Sequence, residues 1–197
     1  MIQPCRRFPI CLSHLYQLTH PYRQCLPHSL RRSLRLSSRH HLWRSAAIVG
    51  KDIKPGTYRT RKASAGCYWA RLSGFGGSLS EVIANQNTDA PEVVTINAGD
   101  KGFTSQGCDT WTADLSRITQ SKTSFDEGTY IVNTDIEPGT YKSSGGSGCY
   151  YARLSGFGGV LDNIITNNNA DSSAVVTVDG GDAGFTSVRC GTWTKVS

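Results

Sequence analysis

Beyond residue 50 the sequence contains no histidine, and within the first 50 residues it contains no aspartate or glutamate. All five histidines, eight arginines and three of the seven cysteines fall in this N-terminal segment. The remainder holds 13 basic and 15 acidic residues, so the net charge of +6 comes from the segment alone. A basic composition therefore gives no reason to expect nucleic-acid binding by the rest of the chain, which is mildly acidic.

The chain also lacks a long apolar run. A transmembrane helix needs about 20 predominantly apolar residues, and a secretory signal needs about 7–15 after a basic start. Arginine, histidine and proline interrupt every such stretch in residues 1–46, and no signal peptide is evident. We interpret residues 1–46 as a basic, disordered leader, and three origins stay open: a mis-assigned start, a transit-like peptide, or a natural basic tail.

What the sequence does contain is a duplication. GCYWARLSGFGG at Gly66 returns as GCYYARLSGFGG at Gly148, and DIKPGTYRT at Asp52 returns as DIEPGTYKS at Asp135. EVVTINAGDKGFTS is matched by AVVTVDGGDAGFTS, and GCDTW by CGTW. An offset of 82–83 residues is too long for a solenoid repeat, whose units span about 20–50 residues. We predict two domains, a first repeat at 47–114 and a second repeat at 129–197, joined by a polar linker at 115–128.

Four cysteines remain outside the leader, and they form two pairs with the same spacing of 41 residues. The simplest of the three possible connectivities joins Cys67 to Cys108 and Cys149 to Cys190, one bridge in each repeat. Disulfides persist in oxidising compartments, so this pairing predicts an exported protein. Zinc and a catalytic thiol are disfavoured, because these repeats contain no CxxC motif and no histidine.

Short β-branched and aromatic runs separated by Gly, Asn and Pro predict an all-β fold. We expect two tandem antiparallel domains, each a small sandwich or partly open barrel. The leucine–isoleucine pairs Leu79/Ile83 and Leu161/Ile165 are four residues apart, a spacing that predicts one short helical turn in each repeat.

Alternation along the repeated motif places the cysteine, one aromatic residue and the arginine on one face of a strand. We expect the arginines to cover the aromatic rings or to pair with Asp100 and Asp182. Two interpretations follow: the aromatic residue and the arginine shield the disulfide, or they form a shallow ligand-binding site. The candidate binding residues are Trp69, Arg71, Tyr151 and Arg153, with Trp111 and Trp193 nearby.

Other chemistries find little support. GFGGSL lacks the GxGxxG spacing of a nucleotide loop, and the Asn-rich stretches lack the EF-hand pattern for calcium. The scattered carboxylates do not form a glycosidase pair, and hydrolytic triads need a histidine that the repeats lack. We therefore expect no catalytic residues, no metal site and no cofactor.

The ordered motifs DIxPGTY, GCYWARLSGFGG, VVTI, GFxS and CxTW resemble a small β-domain that recurs in secreted proteins and lipoproteins of actinobacteria, sometimes in tandem. The resemblance covers residues 48–197 and implies export to the cell envelope or extracellular space, without an activity. Our leading hypothesis is a non-enzymatic tandem binding module, monomeric, whose partner is a cell-wall glycan or an extracellular protein. The alternatives are a structural spacer and, more distantly, an unrecognised enzyme.

Overall fold

Antiparallel strands make up both repeats. The computed structural model describes residues 46–197; residues 1–45 of the predicted leader lie outside the described residues. The strands that precede residue 114 are β1 (Ala47–Ile48), β2 (Gly56–Arg59), β3 (Cys67–Leu72), β4 (Val82–Thr88), β5 (Val93–Ile96) and β6 (Gly102–Gln106). Those that follow are β7 (Ser124–Phe125), β8 (Gly128–Ile131), β9 (Gly139–Ser143), β10 (Cys149–Leu154), β11 (Ile164–Ala170), β12 (Val175–Val178), β13 (Gly184–Val188) and β14 (Trp193–Lys195).

The second repeat is a sandwich of two four-stranded sheets. Their strand orders are β11-β10-β13-β8 and β12-β9-β14-β7. Aromatic side chains from both sheets meet in the core: the ring centroid of Phe185 lies 5.2 Å from Trp193 and 5.9 Å from Phe125. The predicted all-β class and the tandem arrangement are confirmed. Strand β7 lies within residues 115–128, which the sequence predicts as a linker, and it pairs with β14.

The first repeat has the same first sheet but a smaller second one. Its strand orders are β1-β6-β3-β4 and β2-β5. Where the second repeat has β14, the first has one isolated bridge between Arg59 and Thr112. The smaller core is built around Trp69, Phe103 and Trp111, with Phe103 and Trp111 in an edge-to-face contact at 5.3 Å.

The predicted short helical turns are present, but each ends before the isoleucine of its pair. Each repeat has a single 3-10 turn, at Leu79–Glu81 and Leu161–Asn163. Ile83 and Ile165, expected on the turn, lie instead in β4 and β11. The four-residue spacing suggested a helical turn, and the many asparagines in these segments gave no sign of a strand, because asparagine has low strand propensity. Pairing with the motif strands β3 and β10 outweighs that preference.

Both predicted disulfides are present. Cys67 is bonded to Cys108, and Cys149 is bonded to Cys190, each across 41 residues. Each bridge joins the start of the motif strand to the segment after the neighbouring strand of the same sheet. A disulfide that closes a loop of this size lowers the entropy of the unfolded chain and so stabilises the fold by about 3–4 kcal/mol.

The repeats are packed against each other, and the described residues all belong to one compact unit of the chain. Asp135 and Arg59, one from each repeat, form a fully buried ion pair with an oxygen–nitrogen distance of 2.9 Å. The backbone N–H of Thr129 donates to the carbonyl of Pro91 at 2.8 Å. Ile118, in the connecting segment, packs against the core of the second repeat. These contacts create a shared boundary between the repeats.

Candidate functional site

The six residues predicted as a contact surface lie largely in the two cores. Four of them are buried, namely Trp69, Arg71, Tyr151 and Trp193. The other two, Arg153 and Trp111, are partly buried. A ligand on the outer surface would not reach the buried four in this arrangement. Their role in binding stays a prediction. Of the six, only Trp69 lines the cavity described below.

The motif arginines form the ion pairs expected from the sequence. Arg71 Nε lies 2.7 Å from Asp100 Oδ2, and Arg153 Nε lies 2.7 Å from Asp182 Oδ2. Arg153 also contacts Asp179, and its hydrogen bonds to the two carboxylates raise its pKa further above the usual range. The predicted pairing is confirmed, and it commits both guanidinium groups to holding the turn after β5 or β12.

A cavity of about 370 Å³ lies between the repeats. Both repeats contribute to its wall, and its apolar part includes Ile83 from β4, Leu154 from β10 and Phe157 from the loop after β10. The volume is at the lower end of the range typical of small-molecule sites. Such a space exists only because the second repeat is packed against the first.

Glu92 is the buried carboxyl group of this cavity, with 4% of its surface exposed. Its backbone is fixed by Thr60, whose hydroxyl accepts from the Glu92 N–H at 2.9 Å. Burial raises the pKa of the Glu92 carboxyl to about 8, against the opposing effect of a hydrogen bond from Thr129. The group is therefore mainly protonated and neutral at pH 7.

Polar contacts link this carboxyl to both repeats. The Thr129 hydroxyl donates to Glu92 Oε1 at 3.1 Å and lies 3.0 Å from the hydroxyl of Thr186. The Trp69 indole N–H is close enough to lower the Glu92 pKa, yet within residues 46–197 it has no acceptor in full hydrogen-bond geometry. A buried donor without a good acceptor costs about 1–3 kcal/mol. A small shift that aligned the indole with the carboxyl would therefore be favourable.

Amide side chains complete the polar part of the wall. Asn85 and Gln86 of β4 line the cavity, as do Asn163 and Tyr150 of the second repeat. Among residues 46–197, no lysine, arginine, aspartate or histidine lines this wall. Amides and a neutral carboxyl both donate and accept hydrogen bonds.

Sequence reasoning missed Glu92, although a signal was available. The motif EVVT in the first repeat corresponds to AVVT in the second, so Glu92 replaces Ala174 at an equivalent, buried position. An ionisable side chain at a position where the duplicate has a buried alanine is a costly choice for a core. Glu92 is therefore a clear chemical difference between two otherwise similar repeats.

Metal and membrane features receive no support from residues 46–197. In that range, no group of three or more His, Cys, Asp or Glu side chains is arranged to hold a metal ion. No helix in the same range has the length and apolar character needed to cross a bilayer.

Fold and cavity together define a disulfide-bonded tandem β-sandwich protein with a pocket shared by its repeats. A family model described as Rv1352-like extracellular domain matches the chain twice, over residues 46–112 and 122–194. The chain belongs to this family and carries two copies of its domain in an extracellular protein. Comparisons with curated proteins and with solved structures found no match.

Proposed function

We propose that the chain is an exported, non-enzymatic binding module that holds a small neutral ligand, a saccharide unit, in the cavity between its repeats. The observation that carries the proposal is the buried, mainly neutral Glu92 in the wall of a cavity to which both repeats contribute. A carboxyl group retained in such a place lowers stability, and binding sites commonly carry groups of this kind.

The chemistry of the wall favours a saccharide. Hydroxyl and acetamido groups need both donors and acceptors, which Asn85, Gln86 and Glu92 supply. The apolar side chains of the wall suit the C–H face of a sugar ring, since small-molecule sites combine apolar walls with a few polar groups. Among residues 46–197, no cationic side chain lines this wall, which argues against phosphorylated or acidic sugars.

Calorimetric titration with neutral and N-acetylated mono- and disaccharides, and with acidic sugars for comparison, tests this proposal. Replacing Glu92→Ala introduces the residue of the second repeat. Loss of one or two good hydrogen bonds, about 1–3 kcal/mol, predicts binding about 5- to 150-fold weaker. Glu137→Ala, which removes an exposed carboxylate outside the cavity wall, should bind as the unmodified chain does.

Two tryptophans supply a second matched comparison. The indole N–H groups of Trp69 and Trp111 are both buried without an acceptor among residues 46–197, but of the two only Trp69 lines this cavity. Trp69→Phe should weaken saccharide binding, and Trp111→Phe should leave it unchanged. Absence of binding by every sugar, or equal binding by the Glu92→Ala variant, would contradict the proposal and favour a spacer role.

A further inference from the structure

The loop after β10 covers the free edge of β5 in the first repeat. The N–H of Thr95 donates to the carbonyl of Phe157 at 2.8 Å, and Arg71 Nη1 donates to the carbonyl of Gly158 at 2.5 Å. Val160, at the end of the loop, packs against the core of the first repeat. An exposed strand edge is a template for association with another chain, and here the chain covers one of its own edges.

The equivalent edge of the second repeat is open. Val93 of β5 is 3% exposed, whereas Val175 at the matching position of β12 is 59% exposed. Arg153, the counterpart of Arg71, uses Nε and Nη2 for its carboxylates, and no acceptor within residues 46–197 contacts its Nη1. The second repeat thus presents the same strand and the same donor, without the loop that covers them in the first.

The matching loop of the first repeat covers no strand edge within residues 46–197. Phe75–Gly76–Gly77 repeats the sequence Phe157–Gly158–Gly159. In the first loop the Gly76 N–H donates to Glu81 Oε1 at 3.0 Å, and in the second the Gly158 N–H donates to Asn163 Oδ1 at 2.9 Å. The last glycine of each segment, Gly77 or Gly159, has a positive φ, 83° and 71° respectively. The loops are therefore built alike, yet Phe75 is 45% exposed.

Charges at the two open ends are complementary. Within the chain, Arg59 of the first repeat binds Asp135 of the second. The equivalent residues are Lys142 and Asp52, which are both exposed and carry opposite charges. Asp52 Oδ2 accepts from the N–H of Ile48 as Asp135 Oδ2 accepts from Ile131, so the two carboxylates are held in the same way.

We propose that the chain associates head to tail with a second copy of itself, the loop Phe75–Gly77 of one copy covering the edge of β12 in the next. Such a contact joins different surfaces of identical chains, so it extends into a row unless the rotation closes a ring. Ser78 replaces Val160 in this contact, which removes an apolar side chain. The association is therefore weaker than the internal contact and appears only at high protein concentration.

Sedimentation of the full chain between about 10 µM and 1 mM tests this association through its average mass. We expect the mass to rise with concentration, and Val175→Asp to weaken association at least tenfold by placing a charge on the edge. Leu161→Asp is the control, because Leu161 is 84% exposed and lies in the 3-10 turn that follows the loop already used inside the chain. A chain that stays monomeric at 1 mM would overturn the proposal.

A charge exchange identifies the contact. Asp52→Lys brings a second cation against Lys142 of the next copy, and Lys142→Asp brings a second carboxylate against Asp52, so each variant alone should fail to associate. An equimolar mixture restores opposite charges and should associate again. Lys142→Asp alters only an exposed side chain, so its loss of association on its own tests the contact even if the Asp52→Lys variant does not fold. Association that survives both single changes would place the contact elsewhere and refute the proposal.

Discussion

The second repeat completes its own core, and the first repeat does not. The Trp193 indole N–H donates to the Ser187 hydroxyl at 2.7 Å in the second repeat, whereas the matching Trp111 N–H is buried with no acceptor in the described part of the chain. Tyr141 is fully buried, but its counterpart Tyr58 is only partly buried. Nearly identical motifs therefore build cores of different quality, depending on what surrounds them.

Part of the difference lies in the residues before the shared motifs. Phe125 and Tyr130 fill the core of the second repeat, with ring centroids 5.1 Å apart. At the position of Tyr130 the first repeat has Ala47. Val160 of the second repeat packs against the first core, and Asp135 neutralises Arg59. We infer that the first repeat depends on the second for stability more than the reverse.

The largest effect is expected from breaking the ion pair between the repeats. Asp135 accepts from Arg59 and from the N–H groups of Ile118 and Ile131. Asp135→Asn leaves a buried, uncompensated guanidinium group and should lower the free energy of unfolding by about 3–5 kcal/mol in urea denaturation. The equivalent exposed change, Asp52→Asn, should cost less than about 1 kcal/mol. Equal costs would show that the two positions are not as different as their burial implies.

Removing each disulfide in turn should show a further difference between the two repeats. Each bridge closes a loop of the same length, so replacing either cysteine pair by serine should cost about 3–4 kcal/mol. Loss of Cys149–Cys190 should loosen both repeats, because the first rests on the second. Loss of Cys67–Cys108 should loosen mainly the first. Hydrogen exchange read separately in the two repeats measures this, and symmetrical loosening would count against the dependence.

Glu92 gives the first repeat a pH dependence that Ala174 cannot give the second. The folded-state pKa, about 8, lies above the ordinary value of 4.5, so the folded chain binds more protons between these limits. The contribution of Glu92 to the free energy of unfolding is greatest below about pH 4.5. It falls as pH rises, by up to about 1.4 kcal/mol per pH unit, until about pH 8. Glu92→Gln should remove that slope in urea denaturation at several pH values. An unchanged slope would show that Glu92 is not the titrating group.

The smallest effect distinguishes the paired tryptophan from the unpaired one. Trp193→Phe removes the indole partner of Ser187 and should destabilise by about 1–3 kcal/mol. Trp111→Phe also reduces the buried ring area, but it removes a buried N–H that has no acceptor within residues 46–197. The second effect is favourable and offsets part of the loss of stability. Thermal unfolding of both variants should show the larger fall in midpoint for Trp193→Phe. The reverse order would mean that the Trp111 N–H has a partner.

The sequence allowed the fold class, both disulfides and the arginine–aspartate pairs to be predicted, because each depends on local pattern or on a duplicated motif. It did not allow β4 and β11 to be recognised, since asparagine-rich segments become strands here only by pairing with β3 and β10. It also did not reveal that Trp69 and Arg71 are covered by the second repeat. Packing between repeats is a long-range property, and no spacing within one motif reports it.

Separating the repeats tests the dependence of the first on the second most directly. Residues 115–197 and residues 1–114 can be produced under oxidising conditions and compared by two-dimensional amide NMR and urea denaturation. Residues 115–197 should give a dispersed spectrum and a cooperative transition, and residues 1–114 should give neither. A dispersed spectrum from residues 1–114, with the same unfolding midpoint as in the whole chain, would contradict the account.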